Sequence, residues 1–397
     1  MAAPVAGTAR EVRAYHPFSK LNALLAAIPP GASPAPDGQP VPLQIGEPQA
    51  AAPAWVDEVM ARAGGWNRYP PPRGTEAYRA ACHGWLARRY PHGAPGLDPE
   101  RAILPVPGSR EGLFFAALAA ARPGRDRVLL PNPFYHVYAG AAVAAGATPI
   151  FVPATAETGF QPEYGQLDAA TLDRTALAFV NTPSNPHGAV MPPDRLHELM
   201  RLARRHDFVL AVDECYADTH AGPAPPGALD AAAHGDADLT NVLLFHSLSK
   251  RSSVPGLRCG FVTGDPAWLD VLDTTLRVGG AGVPLPTLAA GAALWADDAH
   301  AAAYRARYGG AFAAAERALG ARVTRPGGGF FLWLDVGDGE AAACTLWREA
   351  GIRVMPGAYM AVPDGEGLNP GAASIRVALV HEPDFLARVL TRMSELV

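Results

Sequence analysis

The sequence predicts an α/β protein: a mostly parallel sheet sandwiched by helices, accompanied by a smaller α+β unit. Three observations predict it. Between residues 100 and 265, short apolar runs alternate with helical patterns, as strand–helix repeats do. Several of those runs end directly in polar or glycine clusters, the composition expected at the edge of an open sheet where ligands bind. From Pro284 onward the texture changes to Ala-rich helical stretches and then short strands.

Taken in order, residues 1 to about 12 are small and weakly patterned, and are read as a mobile tail. Tyr15 to Ile28 spaces Phe18, Leu21, Leu24, Leu25 and Ile28 along one face, which predicts an amphipathic helix before the Pro/Gly-rich stretch 29–40. Leu43 to Pro48 reads as a short strand ending in a turn at Gly46, whose amide can approach a ligand closely. A helix is expected near 53–64. A stiff loop, Arg68 to Gly74, then holds Tyr69, and a second helix is expected over 75–90. The sheet candidates are Ile103–Val106, Val128–Leu130, Pro149–Val152, Leu177–Val180, Val209–Val212, Val242–Phe245 and Gly260–Thr263. Helices at 284–296 and 298–319 follow, then strands near Gly329–Leu334 and Ile375–Ala378. The expected division is an arm over 1–50 that contributes to the small unit, a large unit over 51–283 and the small unit over 284–397.

At 397 residues the chain exceeds one ordinary core and can enclose a cofactor. A formal charge of -5 with dispersed Lys and Arg, and no basic stripe, argues against a nucleic-acid partner. Small acids and cofactors fit better. Cys82, Cys215, Cys259 and Cys344 lie far apart, in no metal-ligand or disulfide pattern. No apolar run approaches the length of a membrane span, and the N-terminus lacks a charged-then-apolar signal pattern, so a cytoplasmic location and no membrane partner are expected.

The chemistry gathers at the ends of the apolar runs. Val242–Phe245 delivers Ser247, Ser249 and Lys250, and Arg258 follows after a Pro-Gly turn. A lysine just past a buried strand is desolvated, and nearby cations disfavour its ammonium, so its amine can act as a Schiff-base nucleophile near neutral pH. Hydroxyls and a guanidinium beside it suit a phosphate, and the combination suggests pyridoxal phosphate, with its aldehyde on Lys250 and its phosphate on Ser247 and Arg258. Gly108, Ser109 and Arg110 open a helix whose N-terminus can hold the same phosphate, although a plain N-cap by Ser109 is the better reading of the motif standing alone. Asp213 ends an apolar strand and needs a cation, either a pyridinium nitrogen or an arginine. Tyr216 and Asn185 can both donate to the cofactor's phenolate, or be a buried tyrosine with a local acceptor and a turn residue before Pro186, and an aromatic of the Pro133–Tyr138 stretch can stack on its ring or simply fill the core. His136, His187 and His246 are read as structural. Arg376, among apolar neighbours in Ile375–Ala378, requires an anion, either an internal carboxylate or a substrate α-carboxylate.

These residues together resemble the fold-type I, class I/II aminotransferases, from Gly46-Glu47-Pro48 to Arg376. The motifs are Asn-Thr-Pro-Ser-Asn-Pro-His-Gly at 181–188, Asp-x-x-Tyr at 213–216, and Ser-x-Ser-Lys with Arg258 eight residues later. The resemblance implies the pyridoxal-phosphate-dependent transferase fold, amino-acid and 2-oxo-acid substrates, and a homodimer. It makes Lys250 the Schiff-base lysine and catalytic base, with Asp213 on the pyridine nitrogen and Asn185 and Tyr216 on the phenolate oxygen. Tyr135 takes the ring face, and Gly108, Ser109, Arg110, Ser247 and Arg258 surround the phosphate. Arg376, Asn185 and the Gly46 amide hold the substrate carboxylate, and Tyr69 reaches the phosphate of the neighbouring subunit's cofactor.

Within that family the chain is similar to the bacterial N-succinyldiaminopimelate aminotransferases of lysine biosynthesis, through Tyr-His-Pro-Phe at 15–18, Pro-Asn-Pro-Phe-Tyr at 131–135, Phe245 to Arg258, and Leu-Asn-Pro-Gly-Ala at 368–372. Two departures stand out: His187 replaces the family's usual threonine, and Arg277 to Gly282 lacks aromatic and histidine character. Gly279, Gly280 and Gly282 are expected to form an open mouth for the far end of the substrate. The competing readings are an aminotransferase for another dicarboxylic or an aromatic amino acid, and a pyridoxal-phosphate β-lyase using the same residues. A non-enzymatic regulator on this fold lacks the partner-binding module that it needs.

Overall fold

The computed structural model describes residues 15–94, 96–233, 238–280 and 282–397; the expected mobile tail over 1–12 lies outside them. Strand β1 is Val41–Pro42. Strands β2 (Ile103–Val106), β3 (Arg127–Asn132), β4 (Thr148–Pro153), β5 (Thr175–Asn181), β6 (Val209–Asp213), β7 (Val242–Ser247) and β8 (Gly260–Gly264) form one seven-stranded sheet in the order β2-β8-β7-β6-β5-β3-β4. β8 runs antiparallel to both of its neighbours, and the other four pairings are parallel. Every strand expected between 100 and 265 is present. Helices cover both faces, so β5, β6, β7 and β8 are buried along their whole length, which is why they read as continuous apolar runs rather than alternating ones.

Strands β9 (Phe331–Asp335), β10 (Ile352–Arg353), β11 (Met355–Pro356) and β12 (Ser374–Ala378) belong to the C-terminal part. β12 lies between β11 and β9, antiparallel to both, and β10 pairs in parallel with β1. The short strand expected at Leu43–Pro48 is therefore displaced: pairing is confined to Val41–Pro42, and Gln44 to Pro48 run without sheet partners toward the sheet's ligand edge. The arm helix, Pro17–Leu25, buries Leu21 and Leu25 against Met355 and Met360, and Val41 and Leu43 join the core of Leu332, Ile375 and Val377. Its N-cap is His16, whose ring accepts from the Ser19 amide.

The helix Leu285–Ala296 buries Leu288, Leu294 and Trp295 in the same core as Leu210, Leu244 and Phe261 of the large sheet. We therefore propose that the small unit begins after this helix, at Ala299–Leu319, rather than at Pro284, because Ala299–Leu319 buries Ala311, Phe312 and Ala315 in the core of Leu332, Ile375 and Val377. Among the described residues no helix is long and apolar enough to cross a membrane.

Candidate active site

The carboxyl ends of β5, β6 and β7 open into one cavity of about 600 Å³, closed on its other side by Ile45–Glu47, Phe331, Met360 and Arg376. It brings together Gly46, Ser109, Arg110, Tyr135, Asn185, Asp213, Tyr216, Ser247, Lys250, Arg258 and Arg376. Gly108 stands directly behind, at the Arg258 guanidinium. Of the expected residues, Tyr69 alone is held away: its side chain is 88% exposed.

Lys250 lies on a single helical turn, Leu248–Arg251, that begins where β7 ends, with Ser247 as its N-cap. Ser247 Oγ accepts from the Ser249 amide at 3.2 Å and donates to Ser249 Oγ at 3.0 Å. The turn is anchored by buried Arg251, which bonds Asp218 at 2.8 Å, Asp298 at 2.6 Å and the Leu294 carbonyl at 2.7 Å. Lys250 Nζ donates to the Gly46 carbonyl. Burial pulls its pKa down to about 8, and the cations Arg110 and Arg376 push the same way against Cys215 and Glu47.

Asp213 ends β6 almost wholly buried. Its Oδ2 accepts from Tyr138 Oη at 2.8 Å and its Oδ1 from the Cys215 amide at 3.2 Å. Burial raises its pKa, and those donors oppose the rise. No cationic group bonds this carboxyl among the described residues, and it faces the cavity. Asn181, at the end of β5, ties the two loops together: its Nδ2 donates to the Asp213 carbonyl at 2.8 Å, and its Oδ1 accepts from the Asn185 amide at 2.6 Å.

Gly108 has φ +89°, a conformation that glycine adopts without strain, and a Cβ there would lie 2.5 Å from Arg258 Nη2. This close approach lets the Arg258 guanidinium bond the Pro107 carbonyl at 2.9 Å and Glu111 at 2.5 Å beside the first turn of the helix Ser109–Ala120. Arg110 Nε donates to Tyr135 Oη at 2.9 Å, which fixes that ring at the cavity wall.

Arg376 sits in the middle of β12, 5% exposed, with its guanidinium 4.4 Å from the Phe331 ring centroid. Nη1 donates to Asn185 Oδ1 at 2.8 Å and Nη2 to the Gln44 carbonyl at 2.7 Å, while Nε has no partner. Burial draws its pKa down to about 10, so it remains a cation at neutral pH. No carboxylate of the described residues pairs with it. The internal partner that the sequence left open is therefore not what neutralises it.

The histidines divide. His187 stacks on Phe160 with its edge to Trp333, and His246 is packed between Trp85 and Phe261; burial pulls both down to about 3. His136, expected to be structural, instead lines the cavity. Gly279, Gly280 and Gly282 do not. Gly279 ends the helix Pro266–Gly279 against Phe115, and Gly282 sits beside Pro70. Sequence reasoning also missed the Asn181 tie, Tyr138 behind Asp213, and Phe18 and Met360 on the wall. The only signal for Tyr138 was its place three residues beyond Tyr135, one helical turn along the same face.

The sequence profile described as aminotransferase class I and II matches residues 39–393. A 4-dedimethylamino-4-oxo-anhydrotetracycline transaminase from Streptomyces rimosus is 34% identical over 363 residues, covering 90% of this chain and 94% of the relative. An LL-diaminopimelate aminotransferase from Desulforudis audaxviator is 31% identical over 329 residues, covering 80% of this chain and 82% of the relative. Among solved structures, an aminotransferase from Neisseria meningitidis superposes with a TM-score of 0.88 at 34% identity, covering 96% of this chain and 97% of that one.

Proposed function

The chain belongs to the class I and II aminotransferases, which use pyridoxal 5'-phosphate, and from that premise we propose that it moves an amino group between N-succinyl-LL-2,6-diaminopimelate and 2-oxoglutarate, a step of lysine and diaminopimelate biosynthesis. One observation carries the amino-transfer chemistry: a buried, acid-free guanidinium, Arg376, opens into the same cavity as a desolvated lysine amine, Lys250. The cavity's other features support the cofactor's fit. Asp213 is a buried carboxyl lacking a cation, and Ser109, Arg110, Ser247 and Arg258 gather hydroxyls and guanidiniums at a helix N-terminus.

Pyridoxal phosphate, when bound, supplies an aldehyde to hold the amine and a ring that accepts the electrons released at Cα. The protein does the rest. Lys250, with a pKa near 8, has a substantial neutral fraction in mildly alkaline solution, and its Nζ would accept the proton released at the substrate Cα and return it when the cofactor is bound. Asp213 would hold a bound cofactor's pyridine nitrogen protonated, and Tyr138 steadies the carboxylate by donating to Oδ2. Tyr216 and Asn185, both on the cavity wall, would donate to the cofactor's phenolate oxygen, and Tyr135 would cover its ring. Arg376, helped by Asn185 and the Gly46 amide, grips the α-carboxylate. Both substrates present that carboxylate at the same distance from the reacting carbon, so one arginine serves both half-reactions.

The substrate reading rests on the motifs at 15–18, 131–135, 245–258 and 368–372, and the relative named LL-diaminopimelate aminotransferase supports its diaminopimelate part without bearing on the succinyl group. We propose a homodimer as well. Trp66, Tyr69 and Val278 are 71%, 88% and 89% exposed, and a Cβ at Gly282 would lie 3.2 Å from Pro70, so Tyr69 and the glycine-rich segment share one outward surface. That surface suits presentation to a second copy's cavity, which is where the glycines can still form the distal mouth. Titrating the absorbance of the bound cofactor with succinylated diaminopimelate, free diaminopimelate, aspartate and an aromatic amino acid tests the substrate. Efficient turnover of aspartate or an aromatic amino acid, with the succinylated diamine ignored, refutes the specificity and leaves amino transfer intact. Ammonia release without an acceptor marks a β-lyase.

A further inference from the structure

Resting on that substrate reading, we propose that His136 selects the amino donor: its neutral imidazole, backed by His16 and Phe18 of the arm, hydrogen-bonds the amide of an acylated side chain and disfavours a side chain ending in a free ammonium. His136 is the first residue of the helix His136–Ala144, directly after Tyr135, and lines the cavity on the wall shared with Pro17, Phe18, Ile45 and Met360. Three rings enclose it edge-on: Tyr135 at 4.9 Å, His16 at 5.3 Å and Phe18 at 6.4 Å between centroids. These fix the ring plane, and among the described residues no hydrogen bond engages either ring nitrogen. A half-buried polar ring that is held in place and left unbonded at a cavity wall is available to a ligand.

The ring's charge state decides what it binds. Burial, together with His16, Arg110 and Arg376, pushes its pKa down to about 3, so at neutral pH it offers one N–H donor and one acceptor and no charge. An amide presents the complementary pair. The wall's other members, Pro17, Phe18, Ile45 and Met360, are apolar, and of the carboxylates lining the cavity Glu111 bonds Arg258 and Asp213 accepts from Tyr138 and the Cys215 amide. Against this apolar wall a distal ammonium gives up its hydration for at most the one acceptor nitrogen of the imidazole. Acylation removes that charge and creates the amide, so the side chain becomes a hydrogen-bonding partner.

The test uses the cofactor-loaded enzyme and the stopped-flow absorbance change of the donor half-reaction alone, whose rate against donor concentration gives an apparent dissociation constant free of the acceptor step. His136→Phe keeps an aromatic ring and removes both polar atoms; His136→Gln keeps a neutral donor and acceptor. The expected result is that His136→Phe raises the dissociation constant for N-succinyl-LL-diaminopimelate, relative to that for glutamate, on the order of tenfold, the size of one lost hydrogen bond. His136→Gln recovers most of it, and the wild type binds the succinylated donor more tightly than free LL-diaminopimelate. If the succinylated donor perturbs the wild-type spectrum but the ratio in His136→Phe stays within about twofold, this proposal is overturned while the substrate reading stands. If the wild type prefers the free diamine, or responds to neither, both are overturned. An unaltered cofactor spectrum in the variants identifies folded holoenzyme. Should His136→Phe fail that control, His136→Gln against His136→Leu gives the same comparison.

Discussion

Replacing Arg376 with alanine removes a nearly fully buried guanidinium from the centre of β12 and leaves the incoming α-carboxylate without a cation. In the wild type that guanidinium is already oriented by Asn185 Oδ1 at 2.8 Å and the Gln44 carbonyl at 2.7 Å, and lies over the Phe331 ring. Substrate binding therefore meets a prearranged fork. Stranding one member of a buried charge pair costs about 2–5 kcal/mol, and 5% exposure places this site toward the upper part of that range. At 1.4 kcal/mol per decade, kcat/KM falls by a factor of roughly 30 to a few thousand. It falls similarly for the amino donor and for 2-oxoglutarate, because both carboxylates use the same fork. Arg376→Lys retains the charge but only as a point donor, and gives an intermediate loss. Each half-reaction is followed separately in a stopped-flow spectrophotometer, with thermal melting to check folding. A loss below about tenfold, or a loss confined to one substrate, refutes the carboxylate role.

Lys250→Ala abolishes turnover and the borohydride-reducible protein–cofactor bond while leaving some cofactor bound noncovalently, as spectroscopy and mass spectrometry of the reduced protein can check; a retained covalent bond rejects the assignment. Because burial lowers the Lys250 pKa to about 8, the rate at which cofactor-free enzyme captures pyridoxal phosphate rises about tenfold per pH unit below that value, where the ammonium must first lose its proton, and levels above it. Tyr138→Phe deletes the donor to Asp213 Oδ2, favours the protonated carboxyl by about 1–3 kcal/mol, and lowers kcat on the order of tenfold with KM little changed. A kcat within about twofold of wild type dismisses that contribution. Sedimentation of the holoenzyme gives a dimer, and Tyr69→Phe weakens cofactor retention without dissociating it; a fully active monomer excludes the composite site.

The fold class was legible because β5, β6, β7 and β8 are buried along their whole length and so read as unbroken apolar runs, whereas β4 and its neighbour β3 are partly exposed and carry only shorter apolar stretches. Most of the site was legible for the same reason. Asn185, Asp213, Tyr216, Ser247 and Lys250 all follow strand ends within a few residues, so parallel neighbours β5, β6 and β7 carry them to one edge. Where the chain meets itself across long separations, local pattern was silent. The helix Leu285–Ala296 has the Ala-rich texture of the small unit, yet packs on the large sheet, because burial depends on which apolar face is unpaired and not on composition. Tyr138 and Asp213 are 75 positions apart, His16 and His136 lie on different elements, and Arg376 meets Gln44 from the other end of the chain. The sequence by itself determined the sheet, its ligand edge and the identity of the residues delivered there. Tertiary structure alone decided that Arg376 meets no acid among the described residues, that His136 faces the cavity and that Tyr69 does not, because charge neutralisation and burial are properties of neighbours that only folding assembles.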